Sequence, residues 1–284
     1  MPDVTLLIPS RCALGENPLW DDAKRIFYWT DIEAGEVHAW SEATGQARRI
    51  YAGPKVGGFT LEADGALALF RVNDIARLGD DGRCTRLIPF ADDGSERFND
   101  VTADPRGRVF AGTIGRSKTS GGVFRYDPDG GSRLLFRGTG VSNGMGFSPD
   151  LKTFYWTCST TNRIYAFDYN VETGEVSRQR LIHQAGPTAD IPDGMAMESS
   201  GSFWSARWDG SRLVRHQADG TVDGEIAIPT LRPTSCCFGG AKFDQLFVTS
   251  ARLSDEAASN FAGGIFRVTG AGTGRAVWRS RVFC

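Results

Sequence analysis

Histidine is scarce in this sequence. His38, His183 and His216 are the only three among 284 residues, and they are scattered. No serine sits in a Gly-x-Ser-x-Gly setting either, so a Ser-His-Asp nucleophile has no support. The six cysteines, Cys12, Cys84, Cys158, Cys236, Cys237 and Cys284, include no Cys-x-x-Cys pair. That spacing argues against a thiolate zinc site. The chain is also too large to be a small disulfide scaffold, so buried free thiols are expected. Cys236 and Cys237 would face opposite sides of a strand if both lie in one. Neither a phosphate-binding loop nor a dinucleotide fingerprint occurs.

Other absences narrow the class further. Thirty-two basic residues nearly balance thirty-four acidic ones, for a net charge of −2 without a basic stripe, so no nucleic-acid partner is expected. No apolar run is long enough to span a bilayer, so no membrane partner is expected. The opening MPDVTLLIPS lacks a basic n-region and has only a short apolar run, so it does not read as a signal peptide, and a cytoplasmic protein is expected. No Pro/Ser-rich stretch or charge run marks a linker, and residues 1–284 are expected to form a single domain. Long amphipathic helical patterns are missing as well.

What is present is a stretch written six times. Its copies begin with LWDDAKRIFYWT at Leu19, FTLEADGALALF at Phe59, VTADPRGRVFAGT at Val101, MGFSPDLKTFYWT at Met145, MAMESSGSFWSAR at Met195 and CCFGGAKFDQLFVTS at Cys236. The period of about 40 to 50 residues is that of propeller blades. Strand signals (IFYWT, LALF, VFAGT, FYWT, FWSAR, LFVTS) alternate with turn chemistry such as Ala-Asp-Gly, Asp-Pro-Arg-Gly and Ser-Pro-Asp. The 35 glycines suit many tight turns. The expected fold is therefore an all-β six-bladed β-propeller, with four-stranded antiparallel blades around a central channel, about 24 short strands in all. The strand-like Val4–Pro9 is expected to pair with the last blade and remove an open sheet edge. AVWRSRVF, at 276–283, also reads as strand-like. Trp29, Trp156 and Trp204 recur in inner-strand patterns and read as blade packing. His38 falls in an outer-strand pattern and reads as structural, whereas Trp208 is a candidate pocket wall.

A propeller turns repeat position into a map of one channel mouth. The residues just before each copy's first inner strand are Gly15-Glu16-Asn17, Val56-Gly57-Gly58, Arg97-Phe98-Asn99-Asp100, Ser142-Asn143-Gly144, Pro192-Asp193-Gly194 and Thr234-Ser235. Glu16, Asn143 and Asp193 supply two carboxylates and one amide oxygen at matched offsets, a set that suits an oxygen-preferring divalent cation such as Ca²⁺, Mg²⁺ or Mn²⁺. Taken singly, each reads as turn chemistry; taken together, they read as metal ligands. Arg97 and Asn99 in the third loop suit a polyhydroxylated or anionic ligand. A loop ion pair of Arg97 with Asp100 or Glu96 is the even alternative.

At these residues the chain resembles the senescence marker protein, gluconolactonase and luciferin-regenerating enzyme family. The matching segments are LGENPLW, RFNDVTADPRGRVFAGT, SNGMGFSPD, IYAFDY, IPDGMAM, TSCCFGG and AGGIFRVTG, which together cover essentially the whole chain. The resemblance implies a six-bladed propeller with one divalent metal in its channel, held by Glu16, Asn143 and Asp193, with Arg97 and Asn99 contacting substrate. Calcium, zinc, manganese, magnesium or ferrous iron can serve such sites. Three departures stand out. The link from Thr113 to Gly121 is short where relatives carry an acidic substrate contact, Cys158 stands at a usual Asp, and Asn17 replaces a small residue. The implied activity is hydrolysis of a small-molecule sugar lactone to its aldonic acid, with Asp193 as the catalytic residue. The alternatives are another ester, such as an organophosphate, and a non-catalytic calcium-binding propeller. A monomer or weak homodimer is the expected assembly.

Overall fold

The computed structural model describes residues 2–186, 190–254 and 261–283, apart from the side chain of Arg86. Among them, six four-stranded antiparallel sheets form the six blades of a β-propeller. The inner strands are Gly15–Asp21, Gly58–Leu61, Ser95–Ala103, Ser142–Phe147, Ile191–Met197 and Pro233–Gly239. Inner strands of neighbouring blades pack on one another around the ring, including the first against the sixth.

The apolar faces of the blades account for this packing. Between blades six and one, Trp20 stacks on Phe247 with ring centroids 5.5 Å apart, and Phe27, paired with Trp20 across blade one, stacks on Phe247 at 4.8 Å. Between blades three and four, Phe110 meets Phe147 edge-on at 5.2 Å and Phe154 at 5.1 Å. The expected packing tryptophans Trp29, Trp156 and Trp204 are all buried. They sit on the second strand of their blades rather than the innermost one. His38 stacks on Trp29 at 5.1 Å and pairs with Glu36, a structural role.

The seam closes as the sequence suggested. Asp3–Ile8 is the outer strand of blade six, with Val4 opposite Val268 and Leu6 opposite Phe266. One end of the chain thus completes a sheet begun by the other, and the edge of Ile265–Thr269 is covered. The second expectation for the termini is corrected. Residues 276–283 form no strand; their one ladder contact is the isolated bridge of Ser280 with Glu62. Each sheet is complete with four strands without it, and the segment instead turns Val282 and Phe283 into the apolar core beside blades two and three.

The cysteine expectation also needs one correction. Cys12, Cys158, Cys236 and Cys237 are buried free thiols, but Cys84 is exposed on the outer strand of blade two. Outer strands have one edge in solvent, which explains the difference. Cys284 lies outside the described residues. Cys236 packs among blade-five residues such as Trp204, while Cys237 packs with Trp20 and Trp29 of blade one, so the pair does face opposite ways.

His216, fully buried, reports on acid stability. Its Nε2 lies 2.7 Å from Nη2 of Arg207, and its Nδ1 lies 3.1 Å from the Gly220 carbonyl. The neutral ring satisfies both by accepting from Arg207 and donating to Gly220. Burial, with Arg207 and His183 close by, pushes its pKa down to about 3. The unfolded chain takes up that proton near 6.5. Stability is then complete above pH 6.5 and drains away as pH falls from 6.5 toward 3. Urea unfolding of His216→Gln should lose this share of the pH slope; an unchanged slope would remove His216 from the account. Deleting residues 2–9 should lower the melting temperature and promote oligomers through the uncovered edge, whereas an unaltered, monodisperse protein would contradict the seam.

Candidate active site at the channel mouth

The residues singled out before each blade are not loops. Apart from Val56 and Gly57, which precede the strand of blade two, they are among the first residues of the inner strands themselves. In five blades a β-bulge lies at this point, between Glu16 and Leu19, Phe98 and Val101, Asn143 and Met145, Pro192 and Met195, and Pro233 and Ser235. Blade two runs through without one. A bulge inserts an extra residue and re-aims the side chains beside it. Here the same irregularity recurs around the ring next to Glu16, Asn99, Asn143 and Asp193.

Close approach of the inner strands explains the glycines that follow. A Cβ on Gly144 would meet the Asp193 carbonyl oxygen at 2.6 Å, and one on Gly194 would meet Oγ of Ser235 at 2.0 Å. Asn17 adopts φ +47°, a conformation asparagine tolerates. Its Nδ2 donates to the Phe59 carbonyl at 3.0 Å, stitching blade one to blade two. The departure at position 17 therefore has a structural reason.

The structure brings all five expected residues to this end of the channel, linked by side-chain contacts and fields. Nη1 of Arg97 donates to Oδ1 of Asn99 at 2.8 Å and to the Phe98 carbonyl at 2.8 Å. It does so in place of the ion pair with Asp100 or Glu96. Nδ2 of Asn99 donates to the Ser142 carbonyl at 2.9 Å and to Oδ1 of Asn143 at 3.3 Å. Nδ2 of Asn143 donates to Oγ of Ser159 at 3.1 Å, and that hydroxyl donates to the Pro192 carbonyl at 2.6 Å. Asn143 is thereby held at both ends of its amide, and the oxygen that accepts from Asn99 keeps a second lone pair.

Electrostatics single out one more residue. Asp100 was visible in the sequence only as a possible partner of Arg97. Burial raises its carboxyl to about 7, although the Val101 amide donates to it at 2.9 Å. Burial and then Asp100 raise Glu16, against the Asn17 amide and Arg97. Burial, then Glu16, then Asp100, hold Asp193 well above the usual carboxylate range, against the Asn143 side chain and the Gly194 amide. Three carboxylates therefore share one buried field. Oδ1 of Asp193 is buried with no hydrogen-bond partner. No repeat pattern marks Asp100, because only blade three has an acid at that offset, which is why sequence reasoning missed it.

These observations test the implied cation. Two carboxylates and an amide oxygen are hard donors. An orphaned carboxylate oxygen and mutual repulsion are what a divalent cation relieves. The donor set fits. Among the described residues, no three His, Cys, Asp or Glu side chains make a metal-binding group by themselves; in the candidate set the third donor is an amide.

Residues 14–252 match the SMP-30/Gluconolactonase/LRE-like region. The chain belongs to this family. A pentonolactonase of Haloferax volcanii is 38% identical over 291 residues, covering 98% of both chains. Human regucalcin is 30% identical over 283 residues, covering 95% of both. The solved structure of a calcium-binding regucalcin from Agrobacterium tumefaciens superposes with a TM-score of 0.91 at 24% identity, covering 97% of this chain and 96% of that one. At that identity the likeness speaks to the fold.

The family's departures can now be placed. The short link is the turn at 116–120 between Val109–Gly115 and Gly121–Tyr126, closed by Oγ of Ser120 on the Ser117 amide. Cys158 is buried, with Sγ 3.1 Å from Oγ1 of Thr139. Trp208 is half-buried at the end of its strand, with Arg232 over its ring at 5.6 Å. A cavity of about 150 Å³ lies below the mouth and meets the site at Asn17 and Asp100. No helix among the described residues is long and apolar enough to cross a membrane.

Relief of repulsion makes a stability prediction. Without cation, Asp193→Asn should stabilise the fold by about 1 kcal/mol or more, read by urea unfolding in chelator. The same change should abolish the rise in melting temperature that Ca²⁺ or Mn²⁺ gives the unaltered protein. A destabilised variant that still responds to cation would contradict this reading of Asp193.

Proposed function

We propose that the chain is a sugar lactone lactonase, opening an aldonolactone to its aldonic acid with one divalent cation held by Glu16, Asn143 and Asp193. The observation that carries this reading is the unpartnered Asp193 oxygen inside a buried field of like charges. Beside it stands a chain of hydrogen-bond donors, Arg97 and Asn99. The 38% identical pentonolactonase supports a five-carbon aldonolactone as substrate. The oxygen-only donor set favours calcium, magnesium or manganese among the cations such sites take.

A bound cation supplies Lewis-acid polarisation of the lactone carbonyl, worth several kcal/mol in the transition state. The remaining work falls to side chains. Arg97 and Asn99 bind sugar hydroxyls and donate toward charge developing on the carbonyl oxygen. Asp193, ionised in the loaded site, takes a proton from the attacking water. Water adds to the ring carbonyl carbon, the bond from that carbon to the ring oxygen breaks, and the proton ends on the released hydroxyl. Ser159 keeps Asn143 in place, and Asn17 holds the mouth of blade one against blade two.

Acid release from a panel of pentono- and hexonolactones should exceed the spontaneous rate only when a divalent cation is restored to stripped protein. Asp193→Ala should lower kcat by a factor of about 10² or more in a folded variant. Arg97→Lys should raise KM more than it lowers kcat, because the planar donor set is lost. A folded Asp193→Ala with full activity would overturn the role of Asp193. Folded, cation-loaded protein inert on every lactone would favour another ester or a binding propeller.

A further inference from the structure

Two groups at the mouth have fixed hydrogen-bonding roles. The Arg97 guanidinium can only donate, and the Pro192 carbonyl can only accept. Between them lie groups that can face either way: the side-chain amides of Asn99 and Asn143 and the hydroxyl of Ser159. The structure joins them in one continuous run. Nη1 of Arg97 donates to Oδ1 of Asn99 at 2.8 Å, and Nδ2 of Asn99 donates to Oδ1 of Asn143 at 3.3 Å. Nδ2 of Asn143 donates to Oγ of Ser159 at 3.1 Å, and Oγ of Ser159 donates to the Pro192 carbonyl at 2.6 Å. Every donor points the same way, from blade three through blade four to blade five.

The two ends impose that direction. Arg97 needs an acceptor, so Asn99 must show it Oδ1. Nδ2 of Asn99 is then left facing Asn143 and the Ser142 carbonyl, which it reaches at 2.9 Å. An Asn143 amide turned the other way would set its Nδ2 against Nδ2 of Asn99. Both asparagines are buried, so no bulk water relieves two donors that face each other, and a buried donor without an acceptor is costly. Ser159 secures the other end. Its hydroxyl gives its proton to Pro192 and so has a lone pair for Nδ2 of Asn143. Pro192 immediately precedes Asp193, so the run ties the Asn143 amide to the strand that carries the third proposed ligand.

We propose that Arg97 and Ser159 are positioning residues for the cation: by fixing the direction of this run from its two ends, they keep the oxygen of Asn143, rather than its nitrogen, available as a ligand. The inference rests on the reading of Glu16, Asn143 and Asp193 as cation ligands, and it gives Arg97 a second task besides sugar contact. Direction and charge make opposite demands on Arg97. Its charge favours the Glu16 carboxylate, so by charge alone it competes with a cation, and its loss should tighten cation binding. Through the run, its loss frees Asn99 to turn, and Asn143 with it, so cation binding should weaken. Ser159 is neutral, and charge alone assigns it no effect.

Calorimetric titration of metal-stripped protein with Ca²⁺ and with Mn²⁺ tests the proposal without using turnover. Arg97→Gln removes the charge and puts a group that can accept as well as donate beside Asn99. Arg97→Gln and Ser159→Ala should each weaken binding by about fivefold or more. Ser159→Thr, which keeps the hydroxyl, should bind as the unaltered protein does. Urea unfolding in chelator establishes that each variant is folded. The two positions lie at opposite ends of the run, so either decides if the other fails to fold. Equal or tighter binding by Arg97→Gln would show charge acting alone and overturn the role of Arg97. Unchanged binding by Ser159→Ala, or equal weakening by Ser159→Ala and Ser159→Thr, would overturn the role of the hydroxyl. Unaltered protein that takes up no cation would overturn the ligand reading itself and the positioning roles with it, whereas a failure confined to the variants leaves that reading standing.

Discussion

Six inner strands run side by side around one axis, so whatever their first residues carry is forced together. The approach is close enough that glycine is required where neighbours touch, as Gly144 meets the Asp193 carbonyl and Gly194 meets Ser235. Bulges at the same point in five blades aim side chains at the axis. The ring therefore imposes what the side chains resist: Glu16, Asp100 and Asp193 share a buried field, each with its proton affinity raised. This confinement of like charges is the physical ground for the cation site proposed above. The confinement lasts only while the ring holds, which gives the seam strand Asp3–Ile8 and the aromatic stacks between blades a functional meaning.

The two ends of the channel are built differently. The mouth is polar and assembled from strand starts belonging to four blades. The far end is covered by a segment without regular structure, tied down through backbone carbonyls and two buried acids, Asp21 and Glu62. These acids terminate or follow inner strands. The sheet-end positions thus serve one end of the channel as the bulged starts serve the other.

Much of this was legible from the residues. Repeat period and strand composition suffice for the blades, because each blade is a local unit with its own turns. Glu16, Asn143 and Asp193 could be grouped because symmetry converts equal offsets into proximity. Asp100 could not, since no other blade has its counterpart; it stands out only once burial and its neighbours are known. The 276–283 segment misled because alternating apolar residues look alike in a strand and in an irregular segment whose side chains pack into the core, as Val282 and Phe283 do. Cys84 misled because an outer strand has an exposed face that composition does not reveal.

The central claim is that the confined carboxylates and Asn143 hold one divalent cation at the mouth. Anomalous scattering from a crystal grown with Mn²⁺ would test it most directly. The account predicts a single strong peak bounded by oxygens of Glu16, Asn143 and Asp193. A map with no peak there, or with its only peak elsewhere on the molecule, would contradict it.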